Sequence, residues 1–191
     1  MAIETEIKIA VAGWDALKAA LQPLGPKLLT ERHFEDNYVL DDSRGTLRAG
    51  SCLLRVRKTG DLETITFKGP PKASLLFKSR EELELSLGSA DVMLDILSRL
   101  GFGVWFRYQK YREEYALTGP AAAGRELRLA LDYTPIGDYL ELEGSEESIL
   151  EAAARLGFKK SQFLRDSYYA LYARHCQDQG QPVGHMVFGA P

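Results

Sequence analysis

The amino-acid sequence predicts an α+β protein: a closed, eight-stranded antiparallel β-barrel with a charged lumen and helices packed outside. Three observations lead to this prediction. About eight segments alternate apolar and polar residues, as half-buried strands do, and four more repeat apolar residues at the helical period. Eight antiparallel strands commonly close into a barrel, because closure removes exposed sheet edges. Nearly every strand carries full charges on its polar face, and these line the interior if the apolar faces pack outward against the helices.

The predicted strands are bounded by turn-forming residues. The first strand lies near the start of the chain, and the second ends in a polar turn at 41–45. A hairpin joins the third and fourth strands around Gly60, and Pro70 and Pro71 end the fourth because proline cannot donate to a strand ladder. Glycine and proline also separate the last three strands. The strands are predicted over 3–10, 33–40, 52–58, 63–69, 77–87, 103–117, 125–133 and 138–143.

Four amphipathic segments are predicted to be helices outside the barrel. Ser89 is suited to cap the second helix, while Gly101 and Gly157 are typical of positions just past the ends of the second and third. Residues 178–191 have little periodicity and are predicted to be a C-terminal tail, so that a single domain spans 1–177. The helices are predicted over 14–24, 91–100, 146–156 and 164–177.

The composition narrows the possible classes of function. The 191 residues carry a formal net charge of −3, which argues against nonspecific nucleic-acid binding through a basic surface. No apolar run approaches the length of a membrane-spanning helix, and the charge of Glu4 comes too early for a signal peptide. Cys52 and Cys176 are the only cysteines and make no disulfide framework. We expect a cytoplasmic monomer or homodimer with no membrane and no nucleic-acid partner.

The charges on the strand faces are sorted by sign. Glu4 and Glu6 share one face, as do Arg55 and Arg57. Like charges at i and i+2 lie roughly 6.6 Å apart, and a face that is simply solvated is better stabilised by mixed signs. An antiparallel sheet with one solvated face is the alternative explanation. The inward-facing candidates are the cations Lys8, Arg55, Arg57, Lys68, Arg80, Lys110 and Arg112, and the carboxylates Glu4, Glu6, Glu82, Glu84, Asp132, Glu141 and Glu143.

Such an interior cannot be dry, because each buried ion costs several kcal/mol even after relaxation. The lumen must be hydrated, or occupied by metal ions and a polyanion. Carboxylates without histidine or cysteine suit Mg²⁺ or Mn²⁺, which prefer oxygen ligands. Arginine and lysine suit phosphate oxygens. Together the two sets favour metal-assisted phosphoryl chemistry on a linear triphosphate.

Other catalytic motifs are missing from the sequence. It contains no GxxxxGK[ST], GxGxxG, GxSxG or HExxH motif. The three histidines, His33, His175 and His185, are scattered along the chain and form no zinc-binding set. Cys52 is interpreted as a small core residue and not as a nucleophile.

A Glu-x-Glu-x-Lys motif at 4–8 is followed by a series of charged strand segments. The series is Asp36-Asn37-Tyr38, Leu54-Arg55-Val56-Arg57-Lys58, Thr66-Phe67-Lys68-Gly69-Pro70, Arg80-Glu81-Glu82, Lys110-Tyr111-Arg112, Leu131-Asp132 and Tyr139-Leu140-Glu141-Leu142-Glu143. In this order the segments resemble the CYTH superfamily, the triphosphate tunnel metalloenzymes, over roughly residues 3–172. That group includes class IV adenylyl cyclases, thiamine triphosphatases and inorganic triphosphatases. One departure is Asp166-Ser167-Tyr168, where many members begin the last helix with a basic-Ser-Tyr triplet.

The resemblance implies a tunnel with helices outside and a role for each inward-facing residue. Lys8, Tyr38 and Glu82 are the candidate catalytic residues. Tyr38 resembles a tyrosine that is thought to pair with the motif lysine in thiamine triphosphatases; the alternative is an aromatic residue of the barrel wall. Glu82 would either orient basic neighbours or join the metal ligands. The resemblance implies that Mg²⁺ or Mn²⁺ is held by Glu4, Glu6 and Glu141 or Glu143, with Asp132 assisting. It implies that phosphate is bound by Lys8, Arg55, Arg57, Lys68, Lys110 and Arg112. The alternation of residues along the fifth strand adds Arg80 as a further phosphate-binding candidate.

The predicted reaction is that of a class IV adenylyl cyclase, which converts ATP to cyclic AMP and pyrophosphate. Hydrolysis of inorganic or thiamine triphosphate, with release of orthophosphate, is the alternative because it needs the same tunnel. A non-catalytic module that binds polyphosphate or nucleotide is a further alternative, which the intact metal set disfavours. The expected partner is therefore a triphosphate substrate: ATP, inorganic triphosphate or thiamine triphosphate.

Overall fold

The computed structural model describes residues 2–60 and 62–189. The strands are β1 (Ala2–Val11), β2 (Lys27–Asp42), β3 (Leu53–Thr59), β4 (Leu62–Lys68), β5 (Lys78–Leu87), β6 (Phe102–Leu117), β7 (Leu127–Thr134) and β8 (Gly137–Glu143). They form a closed antiparallel barrel in the order β1-β5-β4-β3-β2-β6-β7-β8, and β8 pairs with β1 to complete it. The predicted fold class is confirmed.

Strand β2 is longer than the sequence predicts. It begins at Lys27 instead of 33 and pairs with β6 along nearly its whole length. The pairing shifts register between Leu28 and Thr30 and again between Thr30 and His33. Such bulges break the strict alternation of inward and outward residues, so the early part of β2 carries no clear period-two signal.

Five α-helices lie in the described part of the chain: α1 (Trp14–Leu21), α2 (Thr46–Ala49), α3 (Ala90–Arg99), α4 (Glu146–Arg155) and α5 (Tyr168–Asp178). The sequence analysis misses α2, a single turn whose Leu47 and Arg48 N–H groups donate to the Asp41 carboxylate. Helix α5 begins later than predicted, because Leu164 is extended and exchanges two backbone hydrogen bonds with Lys8. None of these helices is long and apolar enough to cross a membrane.

The apolar strand faces point outward, where the helices cover them. Ile7 and Ile9 of β1 are fully buried in one core cluster with Leu17 of α1 and Ile149 of α4. A second cluster joins strands β2 and β3 to helix α3. Burial of each such aliphatic side chain stabilises the fold by about 1.5–3 kcal/mol. The polar strand faces are left to form the lumen.

Helix α5 covers one end of the lumen. Its residues Tyr168 and Leu171 pack in a third cluster with the inward-facing Val39, Phe106 and Tyr108. This end of the barrel is therefore aromatic, whereas the rest of the lumen is charged.

The predicted tail packs along β6. Met186 bridges Tyr108 in parallel: its N–H donates to the Arg107 carbonyl at 3.0 Å, and its carbonyl accepts from the Gln109 N–H at 2.9 Å. The Phe188 ring stacks on Tyr133 with centroids 5.4 Å apart. The edge of β6 is available here because β7 pairs only with the part of β6 that begins at Tyr111.

Candidate active site

A cavity of about 590 Å³ lies inside the barrel. Residues of seven strands, all but β2, line it, so the sign-sorted charged rows become its walls. The cavity brings together all the predicted phosphate-binding residues and every predicted carboxylate except Asp132. Its predicted lining residues are Lys8, Arg55, Arg57, Lys68, Arg80, Lys110, Arg112, Glu4, Glu6, Glu82, Glu84, Glu141 and Glu143.

One wall of the tunnel carries carboxylates that share a small number of ammonium groups. The Lys68 Nζ lies 2.5 Å from Glu4 Oε2 and 3.0 Å from Glu82 Oε2. Glu6 Oε1 lies 3.3 Å from Lys78 Nζ and 3.4 Å from Lys8 Nζ. The side chains of Glu4, Glu6, Lys8 and Lys68 are each less than a tenth exposed, so these charges interact with little screening by water.

The crowding of carboxylates shifts their protonation. Burial and the neighbouring carboxylates of Glu6 and Glu82 raise the pKa of Glu4 to about 7, although Lys68 opposes them. Burial likewise raises the pKa of Glu143, with Glu6 adding to the effect and Lys68 opposing it. Burial would raise the pKa of Glu6 too, but Lys8 and Lys78 lower it below its usual range. This wall therefore has spare affinity for a cation.

The buried carboxylate of Glu35 holds the cations of the opposite wall in place. Glu35, which is 1% exposed, lies 3.3 Å from Arg57 Nη1 and 3.4 Å from Lys110 Nζ. Arg57 Nε also donates to Asn37 Oδ1 at 3.0 Å. Although burial opposes it, the nearby Arg57, Lys110 and Arg112 hold the pKa of Glu35 well below its usual range. Glu35 therefore stays ionised and orients two cations toward the lumen.

Asp132 lies behind the tunnel wall and not among the metal-binding candidates. Its Oδ2 accepts from Lys110 Nζ at 2.8 Å, from Arg112 Nη2 at 2.6 Å and from the Tyr168 hydroxyl at 2.5 Å. Its Oδ1 accepts from Arg112 Nε at 2.7 Å, and the residue is fully buried. These contacts saturate the carboxylate, so the structure supports a positioning role for Asp132 instead of the expected metal ligation.

The two carboxylates of β8 differ in how many cationic partners they have. Glu141 Oε2 accepts from Arg112 Nη2 at 2.6 Å, and its Oε1 lies 3.3 Å from Lys8 Nζ. Glu143 makes no ion pair with any residue that the structure describes. Of the two, Glu143 has the free oxygens.

Arg80 has no protein partner for its charge. It is 8% exposed, its Nε has no hydrogen-bond partner, and it forms no ion pair within the described residues. Arg55 Nε is also buried without a partner, although the other nitrogens of Arg55 contact Tyr108 and Thr66. A buried guanidinium without a counterion is costly, so an anion that enters the tunnel gains a ready partner.

Tyr38 does not join the tunnel. The inward residues of β2 are the odd-numbered Glu35, Asn37 and Val39, so Tyr38 points to the outer face. There its hydroxyl donates to Asp36 Oδ2 at 2.9 Å, and the Arg107 guanidinium lies 5.2 Å from the ring centroid. This position corrects the catalytic role expected from the resemblance, and Tyr38 takes no part in the proposed site.

The carboxylate wall has the donor chemistry for a hard divalent cation. Within residues 2–60 and 62–189, no three histidine, cysteine, aspartate or glutamate side chains converge on a preformed metal centre. The available donors are nevertheless all oxygens, and burial first, with repulsion from neighbouring carboxylates added, raises the pKa values of Glu4 and Glu143, an effect that a cation would offset. The residues therefore fit Mg²⁺ or Mn²⁺, which would compete with Lys68 for Glu4.

Comparison with known proteins agrees with this arrangement of strands. A family model, the CYTH domain, matches residues 2–171. The chain belongs to the CYTH family. CYTH proteins of the triphosphate tunnel type are generally metal-dependent.

Several proteins resemble this CYTH chain along most of its length. A Methanocaldococcus jannaschii protein provisionally named an adenylate cyclase is 30% identical over 174 residues, which are 88% of this chain and 98% of the relative. A structure from Vibrio parahaemolyticus, also provisionally named an adenylate cyclase, has a TM-score of 0.73 at 17% identity and covers 90% of this chain and 98% of its own. A Hippeastrum structure has a TM-score of 0.62 at 19% identity, and the match covers 94% of this chain and 97% of the Hippeastrum chain. It is provisionally named an adenylyl cyclase and described as having a dominant triphosphatase activity.

Several residues outside the predicted set contribute to this CYTH site, and three of them matter most to the argument. Glu35 lies two places before Asn37 on the inward face of β2, and Lys78 lines the tunnel two places before Arg80 on β5. Extending the alternation by one step on each strand would have found both. Tyr168 lines the tunnel from the start of α5, with Lys8 and Lys110 ammonium groups 5.4 and 5.2 Å from its ring centroid. In the sequence, only the Ser-Tyr pair within Asp166-Ser167-Tyr168 indicated Tyr168.

Proposed function

We propose that this protein is a divalent-metal-dependent enzyme that converts ATP to cyclic AMP and pyrophosphate. The observation that carries the proposal is a single tunnel lined by a carboxylate wall and a cation wall, in which the buried Arg80 has no counterion among the residues that the structure describes. A cavity of about 590 Å³ is of the size that binds small molecules.

The cation wall would bind the triphosphate. Arg57 is oriented by Glu35 and Asn37, and Arg55 offers a buried nitrogen without a partner among the described residues. Arg80 offers another from β5, where it lies opposite Glu4 at the edge of the carboxylate wall. Guanidinium groups bind phosphate oxygens through charge-assisted hydrogen bonds that are stronger than neutral ones. Lys110 and Arg112 would support the same wall through Asp132. A chain of three phosphates can contact several of these groups at once, whereas a monophosphate cannot.

The carboxylate wall would hold the metal ion through Glu4, Glu6 and Glu143, with Glu82 beside them. When bound, a divalent cation would neutralise charge on the phosphate oxygens. Competition for Glu4 would weaken its pair with Lys68, which could then also contact a phosphate oxygen while it stays near Glu82. The same tunnel would thus pass from internal ion pairs to a complex in which each wall has its own ligand.

In the proposed reaction the ribose 3′-hydroxyl attacks the α-phosphorus. One oxygen–phosphorus bond forms, the bond from the α-phosphorus to the bridging oxygen breaks, and pyrophosphate leaves while the hydroxyl proton passes to a base. Lys8 remains charged, because Glu141 and Glu6 raise its pKa although burial opposes them. Lys8 would therefore stabilise the negative charge of the leaving group. Glu82, whose pKa is lowered by Lys68 despite burial, is a carboxylate that can accept a proton or hold the metal.

Hydrolysis is the second candidate reaction. The named activity of the Hippeastrum protein is triphosphatase activity, and water could replace the ribose hydroxyl in this tunnel. The provisional name shared by the Methanocaldococcus jannaschii and Vibrio parahaemolyticus proteins favours cyclisation as the first candidate. A non-catalytic module is disfavoured because the donors of both walls are intact.

A product analysis tests the proposal. The protein is incubated with Mg²⁺ or Mn²⁺ and, separately, with ATP, inorganic triphosphate and thiamine triphosphate, and the products are separated. Cyclic AMP and pyrophosphate from ATP support cyclisation, whereas orthophosphate supports hydrolysis. A Glu4→Gln variant serves as the inactive control, and Glu81→Gln, one place before Glu82 on the outward face of β5, serves as the active one. No turnover of any of the three compounds would contradict enzymatic function.

A further inference from the structure

A second cavity of about 430 Å³ adjoins the tunnel at the aromatic end of the barrel. It shares Leu53, Lys78, Arg80, Tyr108 and Ser167 with the tunnel lining. We infer that this second cavity binds the base of a nucleoside triphosphate, and that Trp105 is a specificity-determining residue. The inference rests on the proposed function and deepens it by naming the group that the substrate carries beyond its phosphates.

The walls of the second cavity differ in chemistry from those of the tunnel. Trp105, Phe106 and Tyr169 supply flat aromatic surfaces. Trp105 and Tyr169 meet edge to face with centroids 4.6 Å apart, and Phe106 and Tyr169 do so at 5.2 Å. Aromatic side chains and guanidinium planes are the groups on which nucleobases stack. Inorganic triphosphate has no group that could use these surfaces.

The aromatic surfaces are held in place by a chain of contacts. The Arg48 guanidinium lies 4.5 Å from the Trp105 ring centroid, and Arg48 Nε donates to Asp41 Oδ2 at 2.9 Å. Asp41 also accepts the backbone N–H groups that form the single turn of α2. The pocket is therefore built by α2, β6 and the start of α5, which are distant in the sequence.

Arg80 connects the two cavities. It lines both, it is buried, and it has no counterion among the described residues. A phosphate placed at Arg80 would lie where the tunnel meets the aromatic cavity. The geometry therefore orients the substrate with its α-phosphate at Arg80, its base against Trp105 and its remaining phosphates toward Lys68 and Arg55.

The charges of the second cavity favour an uncharged base over a cationic heterocycle. Arg48, Lys78, Arg80 and Arg165 line it, and its carboxylate Asp166 is paired with Arg174 at 3.1 Å. Asp41 pairs with Arg48 and Glu6 pairs with Lys78, so Arg80 and Arg165 are the cations that form no ion pair within the described residues. This excess of positive charge would repel the thiazolium ring of thiamine triphosphate. It leaves a neutral purine or pyrimidine as the fitting occupant.

Equilibrium binding of non-reactive analogues of ATP, inorganic triphosphate and thiamine triphosphate with Mg²⁺ tests the inference, because the proposed enzyme would consume the substrates themselves. Trp105→Leu should weaken ATP binding by about tenfold, as expected when one base loses its stacking partner, and change inorganic triphosphate binding less than about twofold. Tyr169→Ala, at a partly exposed position, should act in the same direction and replaces Trp105→Leu if that variant does not fold. Equal weakening of both ligands, or unchanged ATP binding, would overturn the assignment.

A Trp14→Phe variant provides an independent readout, because it leaves Trp105 as the single tryptophan of the chain. Trp105 fluorescence should change when ATP binds and stay constant when inorganic triphosphate binds. Binding of inorganic triphosphate without binding of ATP would overturn the base pocket while the triphosphate tunnel stands. Tighter binding of thiamine triphosphate than of ATP would overturn the choice of a neutral base. Binding of none of the three would overturn the proposed function and, with it, this inference.

Discussion

The ammonium group of Lys68 lies 2.5 Å from one carboxylate oxygen of Glu4 and 2.7 Å from the other. This pair occupies the carboxylate that the proposed reaction assigns to a metal ion. A metal ion would therefore compete with Lys68 for Glu4, and a triphosphate that arrives with the metal gives Lys68 a new partner. Metal and triphosphate should consequently bind together more tightly than either binds alone.

Replacing Glu4 by glutamine should abolish metal-dependent turnover while the fold survives. The amide keeps the shape of the side chain but removes the charge that binds the cation, and we expect a loss of more than about 100-fold in kcat/KM. Steady-state kinetics with Mg²⁺ and with Mn²⁺ measure the loss, and circular dichroism verifies the fold. Glu6→Gln should behave in the same way. Full activity in either variant would refute the metal assignment.

The pKa values of two tunnel groups predict the pH range in which the metal–triphosphate complex binds best. Glu4, with a pKa of about 7, is a charged ligand above that value and loses metal affinity as the pH falls below it. Burial lowers the pKa of Lys78 to about 8, with Lys8 adding to the effect, so its attraction for phosphate is lost as the pH rises further. Calorimetric titrations at a series of pH values should give the highest affinity for the metal–triphosphate complex between about pH 7 and pH 8.

Variants identify the two limbs of this profile. Glu4→Gln should remove the fall at low pH, and Lys78→Gln should remove the fall at high pH. An affinity that does not change across this range would show that neither group titrates as described.

Arg57→Ala should weaken triphosphate binding more than monophosphate binding. Arg57 is oriented by Glu35 and Asn37 to bind one phosphate of a chain, and a charge-assisted hydrogen bond contributes about 1.5–3 kcal/mol. We expect a loss of about tenfold or more for inorganic triphosphate. Arg99→Ala, an exposed arginine on α3, is the control and should leave both affinities unchanged. Equal weakening for the two ligands would remove the proposed role of Arg57.

Asp132→Asn should reduce stability and not metal affinity. The change leaves the buried charges of Lys110 and Arg112 without their shared counterion, which costs about 3–5 kcal/mol of unfolding free energy. Tyr168→Phe, which removes one hydrogen bond to the same carboxylate, should cost about 1 kcal/mol. Chemical denaturation measures both. A variant of native stability with a lost Mn²⁺ site would instead restore Asp132 to the metal ligands.

Alternation along each strand was enough to predict the barrel and most of its lining. Inward and outward residues differ by one position, so charges at Glu4, Glu6, Arg55 and Arg57 had to share the lumen once their apolar neighbours packed outward. The alternation of inward odd-numbered and outward even-numbered residues on β2 also excludes Tyr38 from the tunnel. The sequence analysis took the role of Tyr38 from the motif and did not apply the alternation to it, and in the structure Tyr38 lies on the outward face of β2.

Pairings across the barrel could not be predicted in the same way. The contacts of Asp132 with Lys110, Arg112 and Tyr168 depend on the register of β6 and β7 and on the approach of α5. The cavity at Trp105 is assembled from segments far apart in the chain. Neither register nor helix placement leaves a periodic signal in a single sequence.

Diffraction from crystals grown with Mn²⁺ and a non-reactive ATP analogue tests the division of the tunnel most directly. We predict an anomalous peak for Mn²⁺ beside Glu4 and Glu6, with the phosphates against Arg57 and Arg80. Manganese bound elsewhere, or an analogue bound outside the barrel, would contradict the central claim.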